Sequence, residues 1–187
     1  MEKIIIIGGS AGSFKIVAQI LASIHSNYRF PIIICTHRLR NLRSNFTEVL
    51  SINSKIRVKE VFDKEKISGS TAYIAPSNYH LLVEFGHHFC LSDEEGVNHS
   101  RPSIDITMDT VAEVFKERAI GILLSGANAD GAEGMRKIKE MGGITIIQDP
   151  DTAEIKTMPE SCLQLFSPDH IMDTDSIINF MLDIERI

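Results

Sequence analysis

Short, uninterrupted apolar runs recur along this chain and constrain its fold more than any other feature. They occupy residues 4–7, 31–35, 120–124 and 144–147. Apolar runs of this length are typical of strands that are buried on both faces of a mostly parallel sheet. Amphipathic stretches with the spacing of an α-helix alternate with them, at residues 14–24, 104–115 and 132–141. The repeated alternation of strand and helix predicts a layered α/β fold.

The middle of the chain has a different pattern. Residues 71–93, TAYIAPSNYHLLVEFGHHFCLSD, contain shorter, partly alternating runs, broken at Pro76-Ser77-Asn78 and at Phe85-Gly86. This pattern predicts antiparallel hairpins that extend the edge of the sheet. The tail, from about Ser176, adds one more amphipathic helix. We therefore expect a single domain over residues 1–187, with a doubly wound, mostly parallel sheet in a Rossmann-like three-layer sandwich and an antiparallel hairpin extension.

Composition argues against several classes of protein. The 187-residue chain has a formal net charge of −6 and is not expected to bind nucleic acid. No apolar run approaches the roughly 20 residues of a membrane-spanning helix, so membrane insertion is not expected. The three cysteines, Cys35, Cys90 and Cys162, have no metal-ligand spacing, and their odd number argues against a disulfide framework. These features predict a cytoplasmic globular protein.

The first apolar run ends abruptly in small residues, in the string IIIIGGSAGS. One interpretation is a phosphate-binding turn, although the string lacks G-x-G-x-x-G spacing and contains no Gly-Lys-Ser/Thr. A second is that Ser10 or Ser13 only caps the following helix. A third is that Ser10 is a nucleophile on a sharp strand-to-helix turn, where the helix N-terminus favours developing negative charge. The string alone leaves all three open.

A serine nucleophile requires a base, and two other strand ends supply suitable residue types. The string PIIICTHR contains the second run and, after it, His37, and the string AIGILLSGANADGAEG contains the third run and a small-residue loop that carries Asp130. Sites of α/β folds lie at the carboxyl ends of parallel strands, where Ser10, His37 and Asp130 are all expected. Each residue also has a structural interpretation, because a histidine can close a strand and Asp130-Gly131 can form a turn or a helix cap.

Several strings of the chain together resemble a known family. They cover residues 3–163 in the family's order, and they are IIIIGGSAGS, PIIICTHR, GSTAYIAPSNYHLLVE, SRPSID, AIGILLSGANADGAEGM, GGITIIQDP and TMPESC. They are similar to the catalytic domain of CheB, the chemotaxis protein-glutamate methylesterase. The resemblance implies an α/β fold with a mostly parallel sheet. It also implies hydrolysis of glutamate methyl esters on the cytoplasmic helices of chemoreceptors, with glutamine deamidation by some members.

The resemblance implies roles for particular residues as well. Ser10 would be the nucleophile, His37 the general base and then the general acid, and Asp130 the carboxylate that orients His37. No metal and no cofactor are implied. The implied partners are methylated chemoreceptor cytoplasmic domains.

Positions beside these residues depart from the family pattern. Where the family usually has Ser-Thr-Gly-Gly, this chain has Ala11 and Gly12 after the first serine, so a threonine hydroxyl is missing. Arg38 follows His37 in place of methionine, and Ala127 replaces a loop methionine associated with the oxyanion hole. Backbone amides of this turn and loop remain the candidates for that hole. The departures favour, as an alternative, a weak or inactive relative that binds receptors or signalling proteins.

Two further residues are weaker candidates for the substrate cleft. Arg101, in SRPSID, is either a cation at the mouth of the site that attracts acidic receptor segments or a capping or ion-pairing residue. Met158, in TMPESC, either lines the cleft or fills the core, as is expected for Met135 and Met141. Other histidines are expected to be structural or exposed rather than metal ligands, namely His80, His87, His88 and His99.

Members of the family typically carry a phosphorylatable receiver domain and a linker ahead of the catalytic domain. Here the first expected strand begins at Ile4, which predicts either a stand-alone enzyme or a piece of a longer chain, with no receiver domain in this sequence. A third hypothesis, a nucleotide-binding module that uses GGSAGS, has less support. It lacks a suitable acidic residue after the second strand as well as the glycine spacing.

Overall fold

The computed structural model describes residues 3–37, 45–97 and 100–185. The strands, in chain order, are β1 (Ile4–Gly9), β2 (Ile32–Thr36), β3 (Arg57–Glu60), β4 (Thr71–Ile74), β5 (His80–Glu84), β6 (His88–Ser92), β7 (Ala119–Leu123), β8 (Ile144–Gln148) and β9 (His170–Met172). Seven of them form a parallel sheet in the order β3-β4-β2-β1-β7-β8-β9. The remaining two, β5 and β6, pair with each other.

Helices cover both faces of the seven-stranded sheet. They are α1 (Phe14–Ser23), α2 (Phe46–Ile52), α3 (Ile104–Phe115), α4 (Ala132–Glu140), α5 (Thr157–Leu165) and α6 (Thr174–Asp183). Buried side chains of α3, α4 and α5 form one hydrophobic cluster with the sheet, and those of α1, α2 and α6 form another. In β1, Ile4 and Ile6 belong to the first cluster, whereas Ile5 and Ile7 belong to the second. An unbroken isoleucine run therefore suits this strand, because both of its faces are buried.

The architecture confirms the predicted α/β fold with a doubly wound parallel sheet. The four apolar runs become β2, β1, β7 and β8, which are neighbours at the centre of the sheet. The two edge strands were not predicted, because β3 is only partly buried and β9 is short and mostly accessible. The prediction for Thr71–Ile74 was wrong, since β4 lies parallel to β2 with Ala72 opposite Ile32 rather than in a hairpin.

The predicted antiparallel hairpin is present as a separate two-stranded sheet. β5 and β6 pair with Leu82 opposite Cys90, and the turn between them has positive φ angles at Gly86 and His87. Thr110 of α3 accepts a hydrogen bond from the backbone N–H of Val83, with an N···O distance of 3.1 Å. The hairpin therefore packs against α3 instead of extending the seven-stranded sheet.

Several smaller expectations also have an outcome. Met135 is fully buried in the core, and Met141 packs against it. Within the described residues, none of the three cysteines is in a disulfide bond. Within the described ranges, no helix has both the length and the apolar character needed to cross a membrane.

Candidate active site

The register of the central strands brings the candidate nucleophile and the candidate base together. Gly9, the last residue of β1, lies opposite Thr36, the last residue of β2, so that Ser10 and His37 follow at the same edge of the sheet. The backbone N–H of His37 donates to the carbonyl of Gly9 at 3.4 Å and extends this pairing by one residue. On the other side of β1, the N–H of Ser10 donates to the carbonyl of Ser125 at 2.9 Å. The site thus lies at the carboxyl ends of adjacent parallel strands, as predicted for this class of fold.

The turn between β1 and α1 holds Ser10 through its backbone. The carbonyl of Ser10 accepts hydrogen bonds from the N–H of Ser13 at 3.1 Å and from the Ser13 hydroxyl at 2.7 Å. The Ser13 side chain therefore does not cap α1, although Ser13 directly precedes that helix. Gly12 has a φ of +83°, and a Cβ there would lie 2.7 Å from Oγ of Ser125. A residue with a side chain would strain this turn, which favours glycine.

The imidazole of His37 is paired with the carboxylate of Asp130. Nε2 of His37 lies 2.6 Å from Oδ2 of Asp130, and the Asp130 side chain is fully buried while that of His37 remains 16% exposed. The imidazole therefore has one ring nitrogen committed to the protein interior. Its other nitrogen, Nδ1, is the one that can exchange a proton with a group in the cleft.

Asp130 receives three more hydrogen bonds from the N-terminus of α3. Its Oδ1 accepts from the Ser103 hydroxyl at 3.0 Å and from the N–H of Asp105 at 3.1 Å, and its Oδ2 accepts from the N–H of Ile104 at 2.8 Å. Burial alone would raise the pKa of Asp130, but the hydrogen bonds from His37 and from the α3 backbone outweigh it and lower the pKa. Asp130 is therefore an anion, and the positive end of the α3 dipole favours the same charge.

A loop after β7 completes the edge of the site. The Ser125 hydroxyl lies 2.9 Å from the carbonyl of Ala11 and 3.1 Å from that of Ile155, and it accepts from the N–H of Ile155 at 2.9 Å. Ser125 thereby ties the turn that carries Ser10 to the segment before α5. In the part of the chain that the structure describes, the backbone N–H groups of Ala11 and Ala127 have no hydrogen-bond partner. Both amides remain available to a ligand.

The hydroxyl of Ser10 makes no hydrogen bond to His37 or to any other described residue. Ser10 is partly exposed and directly follows β1, as His37 directly follows the adjacent β2. Hydrogen bonds between catalytic groups are often long in the absence of substrate and form when the substrate is bound. The backbone therefore places the two residues side by side, although their side chains are not hydrogen-bonded to each other.

The weaker cleft candidates have clear environments. The Arg101 guanidinium donates to the carbonyls of Asp93 and Glu94 and to Oδ1 of Asn78, which favours its structural interpretation. Met158 is fully buried, so the prediction that it lines the cleft was wrong. Gly126 allows this burial, because a Cβ there would lie 2.4 Å from Cε of Met158.

The other histidines are distributed as follows. His80 is buried, accepts at Nδ1 from the N–H of Ser103 at 3.2 Å, and has its Nε2 3.0 Å from the carbonyl of Glu95, which favours its structural interpretation. His87 packs against the ring of Phe115, with 4.9 Å between ring centroids. Two positions of the sequence analysis, Arg38 and His99, lie outside the described residues.

Two residues around Asp130 were not predicted from the sequence, namely Ser103 and Asp105. Ser103 is the N-cap of α3, where its Oγ accepts from the N–H of Ile106. The signal for this cap was present, because a serine directly before an amphipathic stretch is a typical helix start. Nothing in the sequence indicated that the same serine also donates to Asp130, since that contact joins segments 27 residues apart.

Comparison with known proteins identifies the family. The model of the CheB methylesterase family matches residues 5–181. A putative protein-glutamate methylesterase/protein-glutamine glutaminase of Leptospira interrogans is 39% identical over 182 residues, which are 97% of this chain and 94% of the relative. The chain belongs to the CheB methylesterase family. The resemblance inferred from the sequence strings is thereby confirmed, and the chain is assigned to the hydrolases of this family.

Other members of the CheB methylesterase family match over only part of their length. The protein-glutamate methylesterase/protein-glutamine glutaminase of Thermotoga maritima is 29% identical over 97% of this chain, which spans 54% of that relative. The corresponding protein of Haloarcula marismortui is 30% identical over 96% of this chain, which spans 50% of the relative. This chain thus spans about half the length of these two relatives.

A solved structure shows which part of the longer relatives this chain matches. The crystal structure of the Thermotoga maritima CheB methylesterase catalytic domain covers 98% of this chain with a TM-score of 0.94 and 28% sequence identity. The match includes 99% of that domain. The fold described above is therefore that of a CheB methylesterase catalytic domain.

Proposed function

We propose that this protein hydrolyses glutamate methyl esters on the cytoplasmic segments of chemoreceptors, with Ser10 as nucleophile, His37 as base and Asp130 as orienting carboxylate. The observation that carries the proposal is the 2.6 Å contact between Nε2 of His37 and Oδ2 of Asp130, because His37 follows β2, the neighbour of the strand that Ser10 follows. Membership of the CheB methylesterase family and the names of the relatives support the ester substrate. The substrate of those relatives is extended to this chain as part of the proposal.

The pairing with Asp130 determines which imidazole nitrogen acts as the base. With the Nε2 proton donated to the Asp130 carboxylate, Nδ1 of His37 carries the free lone pair. In the first step, Nδ1 removes the Ser10 hydroxyl proton as Oγ bonds to the ester carbonyl carbon. Asp130, held as an anion by four hydrogen bonds, stabilises the imidazolium that forms.

The same groups complete the reaction. The tetrahedral intermediate collapses when its bond to the methoxy oxygen breaks and that oxygen takes the proton from Nδ1, so that methanol leaves. Water then attacks the glutamyl ester on Ser10 with His37 again as base, which releases glutamate and restores the hydroxyl. With a glutamine amide as substrate, ammonia leaves in place of methanol, and the names of the relatives include this glutaminase activity. No step requires a metal or an organic cofactor.

The oxyanion of the tetrahedral intermediate needs donors that point into the cleft. The amides of Ala11, in the turn after β1, and of Ala127, in the loop after β7, lack partners among the described residues and are the candidate donors. Because these donors are backbone groups, the alanines in place of threonine and methionine retain them. Each such donor contributes about 3 kcal/mol to the stability of a comparable transition state. Gly12 allows the turn to take the shape that orients Ala11.

Methylated receptor cytoplasmic domains are the proposed partners, and the cytoplasm is the proposed location, because those receptor segments lie there. The main alternative is a binding module with weak or no turnover. The open contact between Ser10 and His37 and the substitutions at Ala11 and Ala127 favour it. Turnover that depends on Ser10 distinguishes the two functions.

The test measures methanol release from methylated receptor cytoplasmic fragments by the parent protein and by the Ser10→Ala variant. Ser23→Ala is the matched control, because Ser23 is an exposed serine at the other end of α1. We expect release by the parent and by Ser23→Ala, with a loss of about three orders of magnitude or more in Ser10→Ala. If the folded parent releases no methanol from fragments that an established methylesterase demethylates, the hydrolase proposal is wrong. Binding of the fragments without turnover would then support the alternative.

A further inference from the structure

The start of α3 is capped by the carboxylate of Asp130, which precedes α4, and the start of α4 is capped by the carboxylate of Asp105, which belongs to α3. Asp130, one residue before the N-cap of α4, accepts from the N–H groups of Ile104 and Asp105 at the start of α3. In return, Oδ1 of Asp105 accepts from the N–H groups of Gly131 and Gly134 at the start of α4, both at 2.8 Å. Two free amides at the start of each helix are satisfied by this exchange.

Glycines on α4 allow the two helices to come this close. A Cβ at Gly134 would lie 2.5 Å from Cβ of Met108 and 3.1 Å from the backbone of Asp105. Gly131 has a φ of +98°, and a Cβ there would lie 2.8 Å from Cγ2 of Ile104. The absence of both side chains lets the Asp105 carboxylate reach two amides of α4 at once.

We propose that Asp105 is a positioning residue for the proposed triad, because its carboxylate anchors the first turn of α4 and thereby sets where Asp130 meets His37. Gly131, which donates to Asp105, follows Asp130 directly in the chain. A displacement of Gly131 away from α3 displaces the Asp130 backbone with it. Such a displacement changes the 2.6 Å contact between Oδ2 of Asp130 and Nε2 of His37.

Asp105 differs in this respect from an ordinary helix cap. It stands at the second position of α3 and caps a different helix, so its bonds restrain two elements relative to each other. Asp173, in contrast, caps its own helix α6 through a 2.8 Å bond from the N–H of Ser176 to Oδ1 of Asp173. The buried side chains of α6 belong to the hydrophobic cluster on the face of the sheet opposite to the one that α3 and α4 cover. Asp173 is therefore a matched control for the loss of a cap without a change at the site.

The test compares Asp105→Ala with Asp173→Ala and with the conservative variant Asp105→Asn, at about pH 8, where carboxylates are generally ionised. The first readout is the NMR signal of the His37 Nε2 proton, which reports its hydrogen bond to Asp130 directly. The second is kcat and KM for methanol release, and the third is the melting temperature. The activity readout rests on the proposed function, whereas the imidazole signal does not.

We expect Asp105→Ala to shift the Nε2 proton signal and to lower kcat by about ten- to a hundredfold, with KM changed by less than about twofold. Asp105→Asn retains an acceptor oxygen for Gly131 and Gly134 and should recover most of the signal position and of kcat. Asp173→Ala should lower the melting temperature but leave the imidazole signal and kcat at the parent values. A signal and a kcat in Asp105→Ala equal to those of Asp173→Ala would reduce Asp105 to a simple cap and overturn the proposal.

If Asp105→Ala does not fold, Asp105→Glu replaces it, because glutamate keeps the charge but moves the carboxylate by one methylene. An imidazole signal in Asp105→Glu identical to that of the parent would also overturn the proposal. If the parent shows the imidazole signal but no turnover, the hydrolase function is wrong, and the shift of the signal in Asp105→Ala still decides the positioning role.

Discussion

Nε2 of His37 and Oδ2 of Asp130 are 2.6 Å apart, and the same carboxylate also accepts hydrogen bonds from Ser103, Ile104 and Asp105. All four donors are fixed by the surrounding fold, so Asp130 has no freedom to leave His37. The carboxylate therefore selects the His37 tautomer with a proton on Nε2. The lone pair of Nδ1 remains for the cleft.

Asp130→Asn tests this selection. An asparagine oxygen in the place of Oδ1 can keep the bonds from Ser103 and Asp105 only if its NH2 group faces His37 and Ile104, which would stabilise the His37 tautomer with the proton on Nδ1. We expect kcat for methanol release to fall by about three to four orders of magnitude, as for the equivalent change in other serine triads.

Asp169→Asn serves as the control for Asp130→Asn. Asp169 also accepts hydrogen bonds from a backbone amide and a hydroxyl, those of Thr145. Thr145 lies near the start of β8, whereas the candidate site lies at the carboxyl ends of the strands. This variant should keep a kcat within about twofold of the parent. A kcat in Asp130→Asn equal to that of Asp169→Asn would contradict the orienting role of Asp130.

Asp105 gives the unfolding free energy a pH dependence of defined sign. Burial, followed by the nearby charge of Asp130, raises the pKa of Asp105 to about 6 in the folded protein, although bonds from Gly131 and Gly134 oppose the rise. The folded state thus binds the Asp105 proton more tightly than the unfolded state does. The stabilisation of the folded state by this tighter proton binding is fully present below the pKa of about 4 that Asp105 has in the unfolded chain. It is lost as the pH rises through the folded-state pKa of about 6.

The measurement is urea unfolding of the parent, of Asp105→Asn and of Asp173→Asn at intervals between about pH 2 and pH 8. Asparagine does not ionise, so the unfolding free energy of the variant should increase relative to the parent as the pH rises through about 6. Asp173→Asn should show the opposite sign at lower pH. Hydrogen bonds from Ser176 lower the pKa of Asp173. The unfolding free energy of the parent should therefore increase relative to that of Asp173→Asn as the pH rises through the range in which Asp173 ionises. A difference in unfolding free energy between the parent and Asp105→Asn that does not change with pH would contradict the raised pKa of Asp105.

Much of the fold was predictable because the central strands carry a strong local signal. A strand such as β1, with Ile4 to Ile7 divided between two buried clusters, cannot be amphipathic and therefore reads as an apolar run. The edge strands have no such requirement. In β3 the string RVKE is partly exposed, and in β9 the exposed Ile171 gives no burial pattern. β4 was misassigned because the residues of its parallel partner β2 lie 40 positions away in sequence, as in the pairing of Ile33 with Tyr73.

The proposed triad was predictable residue by residue, but its supporting contacts were not. Ser10, His37 and Asp130 each follow an apolar run, and parallel strands bring such positions to one edge. The exchange of caps between Asp105 and Asp130 depends on the distance between α3 and α4, which no local pattern encodes. Met158 illustrates the same limit, because its burial depends on the missing side chain of Gly126, which belongs to another loop.

The buried position of Met158 predicts a loss of stability on truncation. Met158 is fully buried in the cluster of α3, α4 and α5, so Met158→Ala leaves a cavity beneath Gly126. We expect the unfolding free energy to fall by about 2–4 kcal/mol in urea denaturation. Leu165→Ala, at a 41% exposed position of the same helix, should cost well under half of that. Equal losses at the two positions would be inconsistent with the burial of Met158.

Gly131 provides the last prediction, because two constraints coincide at this residue. Its φ is +98°, and a Cβ would lie 2.6 Å from Cδ1 of Leu123 and 2.8 Å from Cγ2 of Ile104. Gly142 shares only the first constraint, since its φ is +85° but the nearest atom to its Cβ would be 3.7 Å away, on Glu117. Substitution by alanine therefore separates backbone strain from the steric clash.

We expect Gly142→Ala to lower the unfolding free energy by about 1 kcal/mol, the cost of the left-handed conformation alone. Gly131→Ala should lower it by about 3 kcal/mol or more, because the added methyl group also displaces Leu123 and Ile104 in a close-packed core. Urea unfolding of both variants beside the parent measures the difference. Equal losses would mean that α4 can move away from α3 without cost, which is incompatible with the anchoring of α4 by Asp105.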